Sequence, residues 1–113
     1  MESPVAPTPS DVLLRLQDVL QQRKSAPAEK SYAASLYAKG LDTILKKLGE
    51  EAAETIIAAK NADPAALVYE MADLWYHALV LLAAKDIPVS AVTDELARRM
   101  GTSGLAEKAA RAK

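Results

Sequence analysis

The sequence reads as an all-α fold built on one long antiparallel helix hairpin. Three observations lead there. Apolar residues recur at three- and four-residue spacing through most of the 113 residues. The composition is half hydrophobic yet lacks Phe, has one Trp and is rich in Ala; close-packed helices suit it better than a β-sandwich, which needs aromatic and β-branched side chains. Two periodic stretches, each near 30 Å long at about 1.5 Å per residue, are separated by residues 62–63 alone, so the second must fold back along the first.

Taken in order, Pro4, Pro7 and Pro9 oppose a helix start, and residues 1–9 read as a disordered leader before a single domain over 10–113. Ser10 or Asp11 can cap a first helix over 11–23, with Val12, Leu13, Leu16, Val19 and Leu20 on one face. Residues 24–30 are polar, contain Pro27 and read as a loop. Ser31 to Ala38 predicts a short helix, and Gly40 a break. The first long helix runs from Leu41 to Asn61, with Leu41, Ile44, Leu45, Leu48, Ala52, Ile56 and Ala59 as its inward stripe. Gly49 lies inside it at about 1 kcal/mol relative to Ala, which suggests a close approach by another helix or a substrate. Asp63-Pro64 is a strong start signal for the second long helix, to Ala84. Asp86-Ile87-Pro88 ends it, Ser90 is placed to cap a shorter helix to Met100, Gly101 to Gly104 reads as a loop, and Leu105 to Lys113 as a final turn or tail.

Several function classes are excluded early. Without Cys there is no disulfide, thiolate metal site or Cys nucleophile. A net charge of −1 offers no general field for nucleic acid. The longest strongly apolar run, Ala78 to Ala84, is far short of the roughly 20 residues that span a bilayer. The N-terminus has no basic cluster or apolar signal core, so the expected location is cytoplasmic.

The two long helices carry the chemistry. Glu51 and Glu54 share a face on the first, Glu70 and Asp73 on the second. Counted from the turn, the two pairs lie at matching heights across an antiparallel pair. Four converging carboxylates repel, and a cation makes the cluster tolerable. Oxygen donors alone suit Mg²⁺ or Mn²⁺ rather than Zn²⁺. A carboxylate-held Mg²⁺ usually also binds phosphate. Cationic and polar candidates for that phosphate are Lys39, Lys46 and Lys47 before the cluster, Lys60 and Asn61 after it, and Arg98 and Arg99 from the later helix. His77, the sole histidine, shares a face with Glu70 and Asp73. It reads equally as a functional residue, whether a partner of the metal ligands or a phosphate contact, and as a packed His bonded to a neighbouring carboxylate.

The string from Lys39-Gly40 through Ile44, Lys46-Lys47, Gly49-Glu50-Glu51 and Glu54, followed by Lys60-Asn61, Glu70, Asp73 and Tyr76-His77, resembles the phosphoribosyl-ATP pyrophosphatase family. Ser31-Tyr32 and the Arg98-to-Gly104 segment fit as well, so the likeness covers about residues 10–111. The resemblance implies Mg²⁺-dependent hydrolysis of 1-(5-phosphoribosyl)-ATP to phosphoribosyl-AMP and pyrophosphate, a step of histidine biosynthesis. It implies Glu51, Glu54, Glu70 and Asp73 as metal ligands. It also makes Glu50 and Glu51 the catalytic candidates, Glu50 matching an acid that binds metal or orients water. It implies a homodimer whose two chains complete one helical bundle, and Ile57, which points away from the inward stripe, agrees with that. Three other readings compete: a housekeeping pyrophosphatase on deoxynucleotides, a di-iron bundle (which wants Glu-x-x-His where this chain has Glu-x-x-Asp), and a non-catalytic interaction module.

Overall fold

The computed structural model describes residues 8–101 and 104–111. Among them the chain forms six helices and no strand: α1 (Pro9–Gln22), α2 (Tyr32–Lys39), α3 (Leu41–Lys60), α4 (Pro64–Ala84), α5 (Val89–Met100) and α6 (Gly104–Arg111). The all-α expectation therefore holds. Several boundaries differ, each for a local reason. α1 starts at Pro9, which takes the first helical position where a missing N–H costs nothing. Its cap is Thr8 rather than Ser10 or Asp11. The Thr8 side chain accepts from the Asp11 N–H, and Asp11 accepts from the Thr8 N–H, closing a capping box. The rest of the expected leader, residues 1–7, lies outside the described residues. The loop at 24–30 holds two short 3₁₀ turns, Arg23–Ser25 and Ala28–Lys30. Ser31 caps α2 by accepting from the Ala34 N–H. α5 starts at Val89 behind Pro88, so Ser90 lies inside the helix and does not cap it. The expected tail is helical from Gly104 to Arg111, while residues 102 and 103 of the expected loop are outside the described residues.

α4 ends in a Schellman motif. The Ile87 N–H bonds to the Leu82 carbonyl at 2.9 Å and the Asp86 N–H to the Ala83 carbonyl at 3.0 Å. Asp86 takes the left-handed position at φ 56°, a role open to Asp through its short polar side chain. Lys24 pairs with Asp86 at 2.7 Å, and Gln17 donates to the Ile87 carbonyl at 3.1 Å, tying this turn to α1.

The core lies at one end of the molecule. Leu20 of α1, Ala33 and Leu36 of α2, Ile44 of α3, Leu79, Val80 and Ala83 of α4 and Val89 of α5 form one buried cluster. Tyr37 packs against it and donates to the Leu20 carbonyl at 3.0 Å. Away from this end, α3 and α4 pack mainly on each other. Their register runs in opposite directions: the Thr55 hydroxyl reaches the Glu70 carbonyl, while Glu51 meets Asp73.

The inward stripe of α3 is rotated from the one the sequence suggests. Ile44, Glu51, Thr55 and Ala58 are buried. Leu41, Leu45, Ile56 and Ala59 are exposed, Ile56 by 64%. An apolar count cannot tell which of two apolar faces meets α4; here the face that does carries a carboxylate and a hydroxyl. The second face, with Leu45, Ile56 and Ile57, stays open within the chain. α4 likewise presents Val68 and Trp75 to the outside. Taken whole, α4 is long and apolar enough to cross a bilayer, at a mean hydropathy of 1.3 over 18 residues, which the run from Ala78 alone did not reveal. Glu70 and Asp73 sit within that helix, however, and an ionised carboxylate at a bilayer centre costs about 2.5–3.5 kcal/mol or more.

Gly40 joins α2 to α3 at φ 101°, ψ 177°, a conformation essentially restricted to Gly. Around Gly49 an added Cβ meets nothing within 4 Å, so no other part of the described chain makes the close approach the sequence suggested. The two glycines should respond oppositely to Ala. Gly40→Ala is expected to lose about 1–3 kcal/mol of stability, and Gly49→Ala to gain up to about 1 kcal/mol, both read from urea midpoints.

Candidate metal centre

Three carboxylates converge where α3 crosses α4. Oxygen atoms of Glu51, Glu70 and Asp73 lie within 4.8 Å of one another. Glu51 comes from the buried line of α3 and is only 6% exposed; Glu70 and Asp73 come from one face of α4, three residues apart. Glu54 adjoins the group, close enough to act on both Glu51 and Glu70. Thr55 fixes the two backbones at this level. Its hydroxyl donates to the Glu51 carbonyl at 2.7 Å and lies 3.2 Å from the Glu70 carbonyl.

The electrostatics are unfavourable as the chain stands. Burial pushes the Glu51 carboxyl above its ordinary range, and the charges of Glu54 and Asp73 push it further. Glu70 is raised by loss of solvent first, then by Glu54 through both hydrogen bonding and charge, and by Asp73 and Glu51. Among the described residues, one carboxylate oxygen each of Glu51 and Glu70 is buried without a hydrogen-bond partner. Native folds rarely leave such atoms unsatisfied. Two orphaned acceptors in an all-oxygen, like-charged cluster fit a hard divalent cation.

The expected phosphate-binding residues are distributed unevenly around this centre. Among the described residues Lys47 pairs with the centre, 3.2 Å from Glu50 and 3.9 Å from Glu51. Its hydrogen bond to Glu50 holds the ammonium above the ordinary Lys range. Lys46 reaches Glu50 at 4.0 Å from an exposed position. Glu50 is thus paired with lysines and is not one of the three converging acids. Asn61 lines a cleft of about 210 Å³ together with Glu54, Ile57, Ala58, Ala66 and Glu70, so it opens onto the acidic centre. Lys60, beside Asn61, and Lys39, in the last turn of α2, are exposed. Arg98 and Arg99 instead engage Glu95 on their own helix, Arg98 at 2.6 Å, and the Arg98 hydrogen bond leads in bringing the Glu95 carboxyl down to about 2. His77 is 3% exposed, with Nδ1 2.7 Å from the Asp73 carbonyl and Nε2 2.9 Å from the Tyr32 hydroxyl. Both ring nitrogens are occupied, so His77 supports the α4 face from behind and has no ring nitrogen left for a phosphate.

With this geometry established, residues 13–100 match the sequence model of the family described as phosphoribosyl-ATP pyrophosphohydrolase. The chain belongs to that family. It is similar to a protein of Methylococcus capsulatus named phosphoribosyl-ATP pyrophosphatase, 63% identical over 101 residues that cover 89% of this chain and 96% of the relative. A Ruthia magnifica protein of the same name is 56% identical, covering 90% of this chain and 97% of its own length. One from Trichlorobacter lovleyi is 58% identical over 88% and 93%.

The sequence reading gave no role to two residues of the site. Thr55 lies four after Glu51, and a hydroxyl on the same face as a candidate ligand was the available signal. Tyr32 lies 45 positions from its partner His77, and no local pattern connects them.

The raised carboxyls give the metal-free chain a characteristic pH response. Just above pH 4.5, the folded state holds more protons at Glu51 and Glu70 than the unfolded state, so these two groups make stability fall as pH rises. Glu95 and Asp86 have lowered values and act in the opposite sense at lower pH. Glu51→Gln is therefore expected to raise the metal-free Tm at pH 7 by a few degrees and to flatten its decline as pH rises above 4.5. Calorimetry with chelator present checks both.

Proposed function

We propose that this chain hydrolyses the α–β phosphoanhydride of 1-(5-phosphoribosyl)-ATP, releasing 1-(5-phosphoribosyl)-AMP and pyrophosphate, the second step of histidine biosynthesis. The observation that carries the reading is the convergence of Glu51, Glu70 and Asp73, with two buried carboxylate oxygens lacking partners, in a member of this family. The names of its relatives supply the substrate.

Glu51, Glu54, Glu70 and Asp73 would hold Mg²⁺, or Mn²⁺ in its place. Bound there, the ion supplies neutralising charge for phosphate oxygens and makes a coordinated water more acidic. The rest falls to the side chains. Glu50 and Glu51 orient the water and accept its proton. The water oxygen forms the new P–O bond as the bridging P–O bond breaks, and the pyrophosphate or nucleotide product leaves with the former bridging oxygen. Lys47, beside the acids, faces the growing charge, with Lys39, Lys46, Lys60 and Asn61 around the rim. Arg98 and Arg99 join only by leaving Glu95. The apolar faces left open, with Val68, Met71, Ala72 and Trp75 on α4 and Ile56 and Ile57 on α3, suit a second copy of the chain, and this reading makes the enzyme a cytoplasmic homodimer without membrane or nucleic-acid partners.

Pyrophosphate release should favour phosphoribosyl-ATP over ATP, dCTP and dUTP by more than about 100-fold in kcat/KM; a better rate on a deoxynucleotide would replace this reading with the housekeeping one. Glu51→Gln or Asp73→Asn is expected to cut turnover by about 1000-fold or more with helical content unchanged by circular dichroism. Trp75→Glu is expected to shift the chain from dimer to monomer in sedimentation velocity.

A further inference from the structure

We propose that Tyr32 is a positioning residue of the acidic centre: its hydroxyl, acting through His77, fixes the turn of α4 that carries Asp73. This rests on the metal reading above and adds a residue from a third helix to it.

The chemistry of the contacts sets their direction. A backbone carbonyl only accepts, so the 2.7 Å contact between His77 Nδ1 and the Asp73 carbonyl places the ring proton on Nδ1. Nε2 and the Tyr32 hydroxyl are joined across 2.9 Å: in the neutral ring the hydroxyl donates to Nε2, and in the imidazolium Nε2 donates to the hydroxyl oxygen. The chain of bonds runs from the first residue of α2 to the main chain of a candidate ligand. Both ends are restrained. Ser31 caps the helix that Tyr32 opens. The Tyr32 ring stacks on Tyr76 with centroids 6.2 Å apart and meets His77 edge-on at 5.7 Å. Tyr76 in turn meets His77 edge-on at 5.4 Å, so two tyrosine rings confine the imidazole.

A packing role alone would not call for this arrangement. An aliphatic side chain would fill the position of His77 without two polar atoms to satisfy. The imidazole is nonetheless buried, bonded at both nitrogens and a neighbour of Glu51 as well as Asp73. Tyr32 itself is 51% exposed, so burial is not what holds its hydroxyl in place. Groups that orient metal ligands typically account for about 10–100-fold in affinity or activity.

Tyr32→Phe keeps the ring and its stacking and removes only the hydroxyl that bonds to His77. Mn²⁺ titration calorimetry on the full chain should show binding weakened about 10-fold, with Tm nearly unchanged. Turnover at limiting Mn²⁺ should fall in proportion and return close to the unsubstituted level at saturating Mn²⁺. Tyr76→Phe, which loses a hydroxyl from the same ring cluster, should behave as the unsubstituted chain does. Unchanged Mn²⁺ affinity in Tyr32→Phe, a loss of turnover that excess Mn²⁺ does not restore, or an equal loss in Tyr76→Phe would each overturn the proposal. Failure of the unsubstituted chain to take up Mn²⁺ would be a different result: it would overturn the metal reading itself, and this proposal with it.

Discussion

Repulsion among carboxylates at a helix seam is the constraint around which the molecule is arranged. Folding drives the apolar ends of α3 and α4 together, and the same register that aligns Ile44 and Val80 with the core carries Glu51 toward Asp73. The chain relieves the repulsion only in part. Lys47 stands 3.9 Å from Glu51, and two carboxylate oxygens are left without partners. An arrangement that is costly when empty and favourable when loaded links stability to ligand: whatever binds the folded state and not the unfolded one adds to stability by mass action.

The rest of the fold bears that cost. The compact cluster formed by α1, α2 and the ends of α3, α4 and α5 lies to one side, so the acidic seam is held by the rigidity of two long helices rather than by burial all around it. The Schellman turn with Asp86 and the glycine at position 40 bring α1 and α2 against that end without intruding on the seam. A larger cavity of about 450 Å³, lined by Lys24, Tyr37, Gly40, Leu41, Ile44, Ala84 and Lys85, also belongs to the core end and contains none of the converging acids.

The two long helices, the short turn between them and the three acids that converge were legible because each follows from spacing along one chain segment. Asp63-Pro64 and the 3.6-residue period state them directly. What was not legible depends on the third dimension. The inward face of α3 was misassigned because Leu45 and Ile56 are as apolar as the residues that are buried, and only the partner helix chooses between faces. The start of α1 was misplaced because Pro9 was weighed as a breaker and not as a first-turn residue behind Thr8. His77 was left open among three roles, and its two contacts, one four residues away and one 45, determine the outcome.

Thr55 has an effect beyond its own hydrogen bonds. A single hydroxyl touching the main chains of both Glu51 and Glu70 sets the gap between the helices at the level of the acids. Cations differ in the gap they need: Mg²⁺ wants oxygens at about 2.0–2.1 Å in strict octahedral order, whereas Ca²⁺ prefers about 2.3–2.6 Å and a looser shell of more donors. On the metal reading proposed above, the spacing that Thr55 holds would bear on which ionic radius the acids accept.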